Sequence, residues 1–279
     1  MLFLRLTRVL AALSMVLVGM PRAAHAQTAS LAGTLFDTEL WSPILQRQMT
    51  FRVYLPPDYF YTDEYRDYPT LYMLHGGGGN YTEWSDSFLP QQLDDMIVRG
   101  MVQSMIVIMP DGGDRTYWAN WDEGPRWSDY MAYDVVAEVD SRFRTSAFPA
   151  GRAIGGLSMG GLGAMQVAMR HPDVFGVVGA HSPSIRLEPD PELWFLSPLS
   201  FIAHNPAWLA SYPSSQNMTY WVDVGADDWW RPNIEELRDA LVLAHLNLTF
   251  RVFPGTHEAE YWIDHVPDYL RFYSENLRT

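Results

Sequence analysis

Short runs of apolar residues alternate along this chain with segments whose apolar positions recur at a helical period. Apolar runs that end in turn-rich loops are typical of strands buried on both faces of a parallel sheet. These runs are 70–74, 104–109, 152–156, 174–180, 220–224 and 248–253. The helical segments are 89–99, 128–143 (with Ser128 as its expected cap), 159–170, 232–245 and 259–277. The alternation predicts an α/β fold with a doubly wound, mostly parallel sheet and helices on both faces.

The first part of this pattern differs from the buried strands. Residues 29–40 are expected to begin a strand region, and residues 51–55 alternate in polarity before Pro56 and Pro57. Prolines are confined to the edges and ends of sheets because they cannot donate to the hydrogen-bond ladder. The sequence therefore predicts an edge strand at 51–55.

Two stretches interrupt the alternation. Residues 111–127 are rich in Gly, Asp and Trp, and residues 183–216 carry six prolines among aromatic residues. Both follow the carboxyl ends of predicted strands, where open α/β sheets place their ligand crevice. We expect these two stretches to form walls of a substrate site.

The first 26 residues have the pattern of an export signal. Arg5 and Arg8 precede an apolar run, and Ala24-His25-Ala26 is a small-x-small cleavage site. The apolar run is shorter than a membrane span requires, so cleavage is favoured over anchoring. We expect residues 1–26 to be a signal peptide, residues 27–279 to be a single domain, and the protein to be secreted or periplasmic.

Charge and missing residue types narrow the function. The sequence has no cysteine and no lysine, which excludes a cysteine nucleophile, thiolate metal sites, a Schiff-base lysine and a P-loop lysine. Loss of the leader leaves 16 arginines against 33 acidic residues, a net charge of −17. Such a surface repels nucleic acid and anionic lipid, so neutral small-molecule or glycan substrates are favoured over nucleic acid or membrane partners. No oligomeric state is indicated.

A candidate nucleophile lies in Gly156-Leu157-Ser158-Met159-Gly160. This G-x-S-x-G pattern follows an apolar strand and precedes a helix of small residues, the context of a nucleophile elbow. Small residues let the helix pack close to the sheet and aim its N-terminal dipole at an anionic intermediate. We therefore expect Ser158 to attack a carbonyl carbon.

A serine nucleophile needs a base, which in turn needs an orienting acid. In α/β-hydrolases the acid and then the histidine follow the serine along the chain. The acid is expected after the strand at 220–224, where Asp228 is preferred and Asp227 is the alternative. The histidine is expected after the last strand, which favours His257; its competitor, His265, falls within the last helical segment.

An oxyanion hole is expected from the glycine run that follows His75. Residues 76–79 are all glycine and follow a predicted strand, like the loop that supplies a backbone N–H in lipases and esterases. We expect the N–H groups of Gly77 and Met159 to bind the oxyanion. Such donors are each worth about 100- to 1000-fold in rate.

Aromatic and acidic residues near this site suggest ligands. His75, Trp118, Trp121 and Trp229 are expected to contact the substrate, which favours an ester with an aromatic or sugar ring. The acidic residues of 111–123 do not have the spacing of a calcium loop, so we interpret them as a solvated loop and expect no metal and no cofactor.

Together these residues resemble the putative-esterase family of α/β-hydrolases. That family includes feruloyl and acetyl xylan esterases, S-formylglutathione hydrolases, enterochelin esterases and mycolyltransferases. The segments that carry the resemblance are Val53–Tyr59, Leu71–Gly76, Val107–Gly112, Gly156–Gly161, His171–Phe175, Gly225–Asp228 and Gly255–His257.

The resemblance implies a triad of Ser158, Asp228 and His257, with Gly77 and Met159 in the oxyanion hole. Gly-Thr-x-Asp is more usual where this chain has Gly225-Ala226-Asp227-Asp228, so the choice of carboxylate stays open. The lack of a cysteine beside His75, together with the export signal, argues against an S-formylglutathione hydrolase.

The expected function is that of a secreted serine carboxylesterase that hydrolyses neutral esters through an acyl-enzyme, with feruloyl or acetyl esters of glycans as candidate substrates. Two alternatives stay open. One is an acyltransferase of the mycolyltransferase type that uses the same triad. The other is a catalytically idle carbohydrate-binding relative, which a fluorophosphonate probe would not label.

Overall fold

An eight-stranded sheet forms the centre of the computed structural model, which describes residues 30–193 and 195–279. The strands are β1 (Thr34–Ser42), β2 (Arg47–Leu55), β3 (Thr70–Leu74), β4 (Ile106–Pro110), β5 (Arg152–Leu157), β6 (Val177–His181), β7 (Thr219–Gly225) and β8 (Asn247–Phe253). Their order in the sheet is β1-β2-β4-β3-β5-β6-β7-β8. The expected signal peptide at 1–26 lies outside the described residues.

The sheet is parallel except at one end. β1 pairs antiparallel with β2, and β2 pairs antiparallel with β4, whereas β4, β3, β5, β6, β7 and β8 all pair in parallel. The prediction of a mostly parallel sheet is therefore confirmed. The predicted edge strand at 51–55 is wrong, because β2 lies between β1 and β4 and the edge strands are β1 and β8.

Helices cover both faces of the sheet, as predicted. They are α1 (Glu83–Asp86), α2 (Leu89–Val98), α3 (Trp127–Asp129), α4 (Val136–Arg142), α5 (Met159–Arg170), α6 (Pro198–His204), α7 (Pro206–Leu209), α8 (Arg231–Leu243) and α9 (Ala259–Asn276). Side chains of β3 alternate between two cores. Tyr72 and Leu74 pack in the core that includes α5 and α8, and Leu71 and Met73 pack in the core that includes α2 and α9.

The predicted helix at 128–143 is interrupted. A π-helical turn, Tyr130–Val135, separates α3 from α4. Ser128 does not cap a helix: it lies inside α3, and its hydroxyl is 3.1 Å from Nε2 of His171. The apolar period alone could not locate the extra residue that a π turn inserts.

The two loop-like stretches meet each other above the sheet. Trp121 stacks on Phe195 with ring centroids 4.7 Å apart, and the amide of Asp122 donates to the carbonyl oxygen of Phe195. The second stretch contains α6, α7 and two 3-10 turns, Pro191–Leu193 and Pro213–Asn217, none of which was predicted. Prolines of the stretch lie in the first turns of these short helices, where a missing N–H costs no hydrogen bond.

Residues Leu31–Thr279 form one compact unit. The expected boundary of the domain at residue 27 stays a prediction, because residues 1–29 are not described. Within the described residues, no helix combines the length and the apolar character that crossing a membrane requires.

Candidate active site

Ser158 lies in a tight turn between β5 and α5. Its backbone has φ +51° and ψ −114°, a strained conformation that turns the side chain out of the sheet. The Ser158 N–H donates to the carbonyl oxygen of His181 at 3.0 Å, and its carbonyl oxygen accepts from Ser184 and Leu162. A side chain at Gly160 would collide with the backbone of Leu74, so only glycine lets the helix approach the sheet here.

His257 lies within hydrogen-bond distance of Ser158. Its Nε2 is 2.8 Å from the Ser158 Oγ, and its Nδ1 is 2.8 Å from Oδ2 of Asp228. Its ring packs between Trp229 and Trp262. The competitor His265 instead stacks on Phe253, 4.0 Å between ring centroids. Three side chains that are distant along the chain therefore form one hydrogen-bonded series.

The Asp228 side chain is fully buried and Asp227 is exposed. Oδ1 of Asp228 accepts from the Trp230 N–H at 2.7 Å, while Oδ2 accepts from His257 and from the hydroxyl of Ser182. Burial alone would raise the pKa of Asp228, but these hydrogen bonds outweigh it and hold the pKa below its ordinary value. The turn after β7 thus directs Asp228, and not Asp227, towards the histidine.

Ser182 was not identified from the sequence. It follows β6, which lies between β5 and β7 in the sheet, and Ser158 and Asp228 come after β5 and β7. This position at the end of the middle strand was the one signal in the sequence that could have identified Ser182. Its Oγ also lies 3.3 Å from Nδ1 of His257.

The glycine loop leaves one N–H free for a ligand. The amides of Gly76 and Gly78 donate to the carboxylates of Glu83 and Asp114, at 2.6 and 2.9 Å. Among the described residues the Gly77 N–H has no acceptor, and a side chain there would point into open space. Met159 is the first residue of α5, so its N–H has no partner within the helix. Neither expected oxyanion donor thus has a protein acceptor in the described part of the chain.

Glu83 lies behind the glycine loop. Its carboxylate contacts the positions that side chains at Gly76 and Gly79 would take. Burial raises the pKa of Glu83, an effect that the hydrogen bond from Gly76 opposes. Glu83 therefore fixes the loop from its inner side.

The four expected substrate contacts divide into two pairs. His75 and Trp118 are buried, at 1% and 0% exposure. The Gly112 N–H donates to Nε2 of His75, so its Nδ1 donates to the carbonyl oxygen of Gly76, and the His75 ring packs on Trp118. This burial corrects the expectation that both residues contact the substrate directly. They instead support the glycine loop from its buried side.

Trp121 and Trp229 are more accessible. Trp121 is half-buried against Phe195, and Trp229 is 62% exposed with its ring centroid 4.7 Å from that of His257. Trp229 is therefore the expected contact that lies beside the reacting groups.

The two long stretches enclose little space between them. A cavity of about 20 Å³, room for about one water molecule, lies between Tyr117, Leu162, Ile185, Leu193 and His204. An ester substrate does not fit there, whereas Gly77 of the glycine loop and Trp229 beside His257 are exposed. No cluster of three or more His, Asp or Glu side chains suited to a metal ion occurs in 30–193 or 195–279.

Comparison with known proteins gives matches to esterases. Residues 42–273 match the family described as Putative esterase. An esterase of Mycobacterium tuberculosis is 34% identical over 142 residues, which are 50% of this chain and 30% of that protein. An endo-1,4-beta-xylanase/feruloyl esterase of Xylanibacter ruminicola is 29% identical over 158 residues, 53% of this chain and 21% of that protein.

The matched segments thus span less than a third of these curated relatives. Among solved structures, a ferulic acid esterase superposes with a TM-score of 0.80 at 24% identity, over 88% of this chain and all of that one. At this identity the likeness shows the fold, which is that of the α/β-hydrolases.

Proposed function

The chain belongs to the Putative esterase family, and from this premise we propose that it is a serine carboxylesterase with Ser158, His257 and Asp228 as its catalytic triad. The observation that carries the proposal is the hydrogen-bonded series from Ser158 Oγ through His257 to Asp228. A serine hydroxyl is weakly nucleophilic unless a base lies within this reach, and the base needs an acid to fix its tautomer.

The reaction proceeds through an acyl-enzyme. Nε2 of His257 takes the Ser158 proton while Oγ bonds to the ester carbonyl carbon. The tetrahedral intermediate collapses as its bond to the alcohol oxygen breaks, and His257 returns the proton to the departing alcohol. Water then attacks the acyl group with His257 as base, and the acid leaves as Ser158 regains its proton. Asp228 stays ionised throughout and stabilises the imidazolium.

The N–H groups of Gly77 and Met159 bind the oxyanion in this mechanism. Both are free of protein acceptors within 30–193 and 195–279, and Met159 also lies at the N-terminus of α5, where the helix dipole favours negative charge. Glu83 and Asp114 hold the neighbouring amides of the loop, which leaves the Gly77 N–H as its free donor.

The proposed substrates are neutral carboxylic esters, with feruloyl and acetyl esters of glycans as candidates. Three considerations support this class: the acidic surface, the exposed Trp229 beside His257, and a relative and a structural neighbour that are feruloyl esterases. The pattern of the first 26 residues supports a secreted or periplasmic location and a mature domain that begins at residue 27.

Substitution of the nucleophile tests the proposal. Ser158→Ala should abolish hydrolysis of short p-nitrophenyl esters and labelling by a fluorophosphonate, with an unchanged circular dichroism spectrum. Ser146→Ala removes another buried hydroxyl, near Gly151 and away from this site, and should behave like the wild type. Retained turnover in Ser158→Ala would disprove the proposal.

Product analysis separates hydrolysis from acyl transfer. With added acceptor alcohols or sugars, the free acid should remain the main product. A dominant acyl-acceptor product would replace the hydrolase by the acyltransferase alternative, with the same triad.

A further inference from the structure

Ser182 occupies a position in the site for which the triad mechanism gives no role. It follows the last residue of β6 and is completely buried. Its hydroxyl donates to Oδ2 of Asp228, the oxygen that also accepts from His257, and lies 3.3 Å from Nδ1 of His257.

The backbone of Ser182 indicates that its side chain is needed. Its φ is +48°, in the left-handed region that glycine adopts at much lower cost than serine. The strain is maintained by the surrounding structure, since the Ser182 N–H donates to the carbonyl oxygen of Asp223 in β7. A glycine would satisfy this turn and this hydrogen bond equally well. What glycine could not supply is the hydroxyl.

The hydroxyl completes the set of donors around Asp228. The Trp230 N–H holds Oδ1, and Oδ2 has Ser182 and His257 as its donors. Without Ser182, Oδ2 depends on the Nδ1–H of His257 as its one remaining side-chain donor among the described residues. Rotation of the carboxylate away from the histidine would then meet less resistance.

We propose that Ser182 is a positioning residue that holds the Asp228 carboxylate against His257 through its hydroxyl. The inference rests on the proposed function of the triad, and the hydroxyl acts on the reaction by fixing Asp228 against His257. The hydrogen bond from Ser182 also contributes to the low pKa of Asp228, after the larger contribution of His257.

Two substitutions at this residue separate the hydroxyl from the backbone. Ser182→Ala removes the hydroxyl and keeps the strain, while Ser182→Gly removes both. For a p-nitrophenyl ester, both variants should lose about 10- to 100-fold in kcat with little change in KM, as a displaced catalytic group costs about 100-fold. If Ser182→Ala does not fold, Ser182→Gly carries the test, because it relieves strain.

The proton NMR spectrum provides a second measurement. The Nδ1–H of His257 donates to Oδ2 of Asp228, and its downfield resonance should be sensitive to the length of this hydrogen bond. If the carboxylate rotates away, this resonance should move upfield or broaden in both variants, whereas a role confined to the turn would leave it unchanged. Ser146→Ala serves as the control for the loss of a buried hydroxyl elsewhere.

The outcomes distinguish this inference from the proposed function. Wild-type kcat and an unmoved Nδ1–H resonance of His257 in Ser182→Gly would overturn the role of Ser182 while the triad stands. A wild-type protein that neither hydrolyses esters nor reacts with a fluorophosphonate would instead overturn the triad, and with it the role of Ser182.

Discussion

The amide of Ser158 donates to the carbonyl oxygen of His181 at 3.0 Å, so a hydrogen bond holds the nucleophile to the end of β6, the neighbour of the strand β5 that it follows. His181 is completely buried. Its Nδ1 is 2.8 Å from Oδ1 of Asp223, and its Nε2 is 2.9 Å from the Tyr273 hydroxyl of α9. The position of the candidate nucleophile therefore depends on a buried polar network between the sheet and α9.

Asp223 is the centre of this network, and Asp223→Asn should destabilise the protein strongly. The carboxylate accepts hydrogen bonds from the side chains of four residues: His181, Trp221, Tyr261 and Tyr269. An asparagine amide would replace one acceptor oxygen by an N–H₂ group, so two of the four donors would lose their acceptor. We expect a loss of roughly 3 kcal/mol or more in the free energy of unfolding, measured in urea.

The exposed Asp239 provides the matched control. Asp239→Asn should change the free energy of unfolding by less than about 0.5 kcal/mol. If Asp223→Asn unfolds at the same urea concentration as the wild type, the network does not stabilise the fold as described.

Much of the fold could be predicted because burial on both faces leaves a clear pattern. The five residues of β3 are all buried, so the strand is a continuous apolar run, and α5 has the predicted bounds. Strand β2 misled the prediction because alternating polarity marks a half-covered strand, which need not be at an edge. Here β1 extends the sheet beyond it.

The candidate site could be predicted only as far as chain order defines it. A strand-turn-helix motif locates Ser158, and loops after later strands locate His257 and the Asp227–Asp228 pair. The burial of His75 and Trp118 and the contact of Ser182 with Asp228 arise between segments distant along the chain. No local pattern encodes such contacts.

Asp228→Asn should lower kcat by roughly 1000- to 10,000-fold, because an amide no longer holds the required tautomer of His257. Asp227→Asn is the control next to it in the chain and, being exposed, should change kcat by less than about twofold. Steady-state hydrolysis of p-nitrophenyl acetate measures both. Equal losses in the two variants, or the reverse order, would contradict the assignment of Asp228.

His204 should make the protein less stable as the pH falls. Burial, and then the charge of Arg170, lower the pKa of His204 to about 4. Its Nδ1 donates to the carbonyl oxygen of Ser200, and its Nε2 has no hydrogen-bond partner within the described residues. The imidazole is therefore neutral and buried in the folded state.

The sign of the effect follows from proton binding. Between pH 6.5, the ordinary value, and about pH 4, the unfolded state binds a proton at His204 that the folded state does not. The contribution of His204 to stability is thus complete above pH 6.5 and decreases through this window, by up to about 3 kcal/mol. Urea unfolding at pH 7, 5.5 and 4.5 should show a shallower decrease in His204→Gln than in the wild type.

The exposed His245 supplies the control for that series. His245→Gln should retain the wild-type decrease, since an exposed ring is hydrated in both states. Identical pH dependence in His204→Gln and the wild type would show that burial of this ring does not contribute to acid sensitivity.

Trp229→Ala should distinguish aromatic from small acyl groups. The Trp229 ring is 62% exposed, and its centroid lies 4.7 Å from that of the His257 ring. It can therefore stack on a substrate without any rearrangement of the core. Aromatic pairs contribute about 0.5–1.5 kcal/mol beyond burial, which predicts a rise in KM of roughly 2- to 12-fold for methyl ferulate. KM for p-nitrophenyl acetate, whose acyl group has no ring, should rise less. Trp208→Ala, which removes a similarly exposed indole from α7, should leave both KM values unchanged. An equal rise in KM for the two esters in Trp229→Ala would contradict contact with the acyl group, and an equal loss of kcat would instead mean that the indole supports His257, because a displaced base slows every substrate alike.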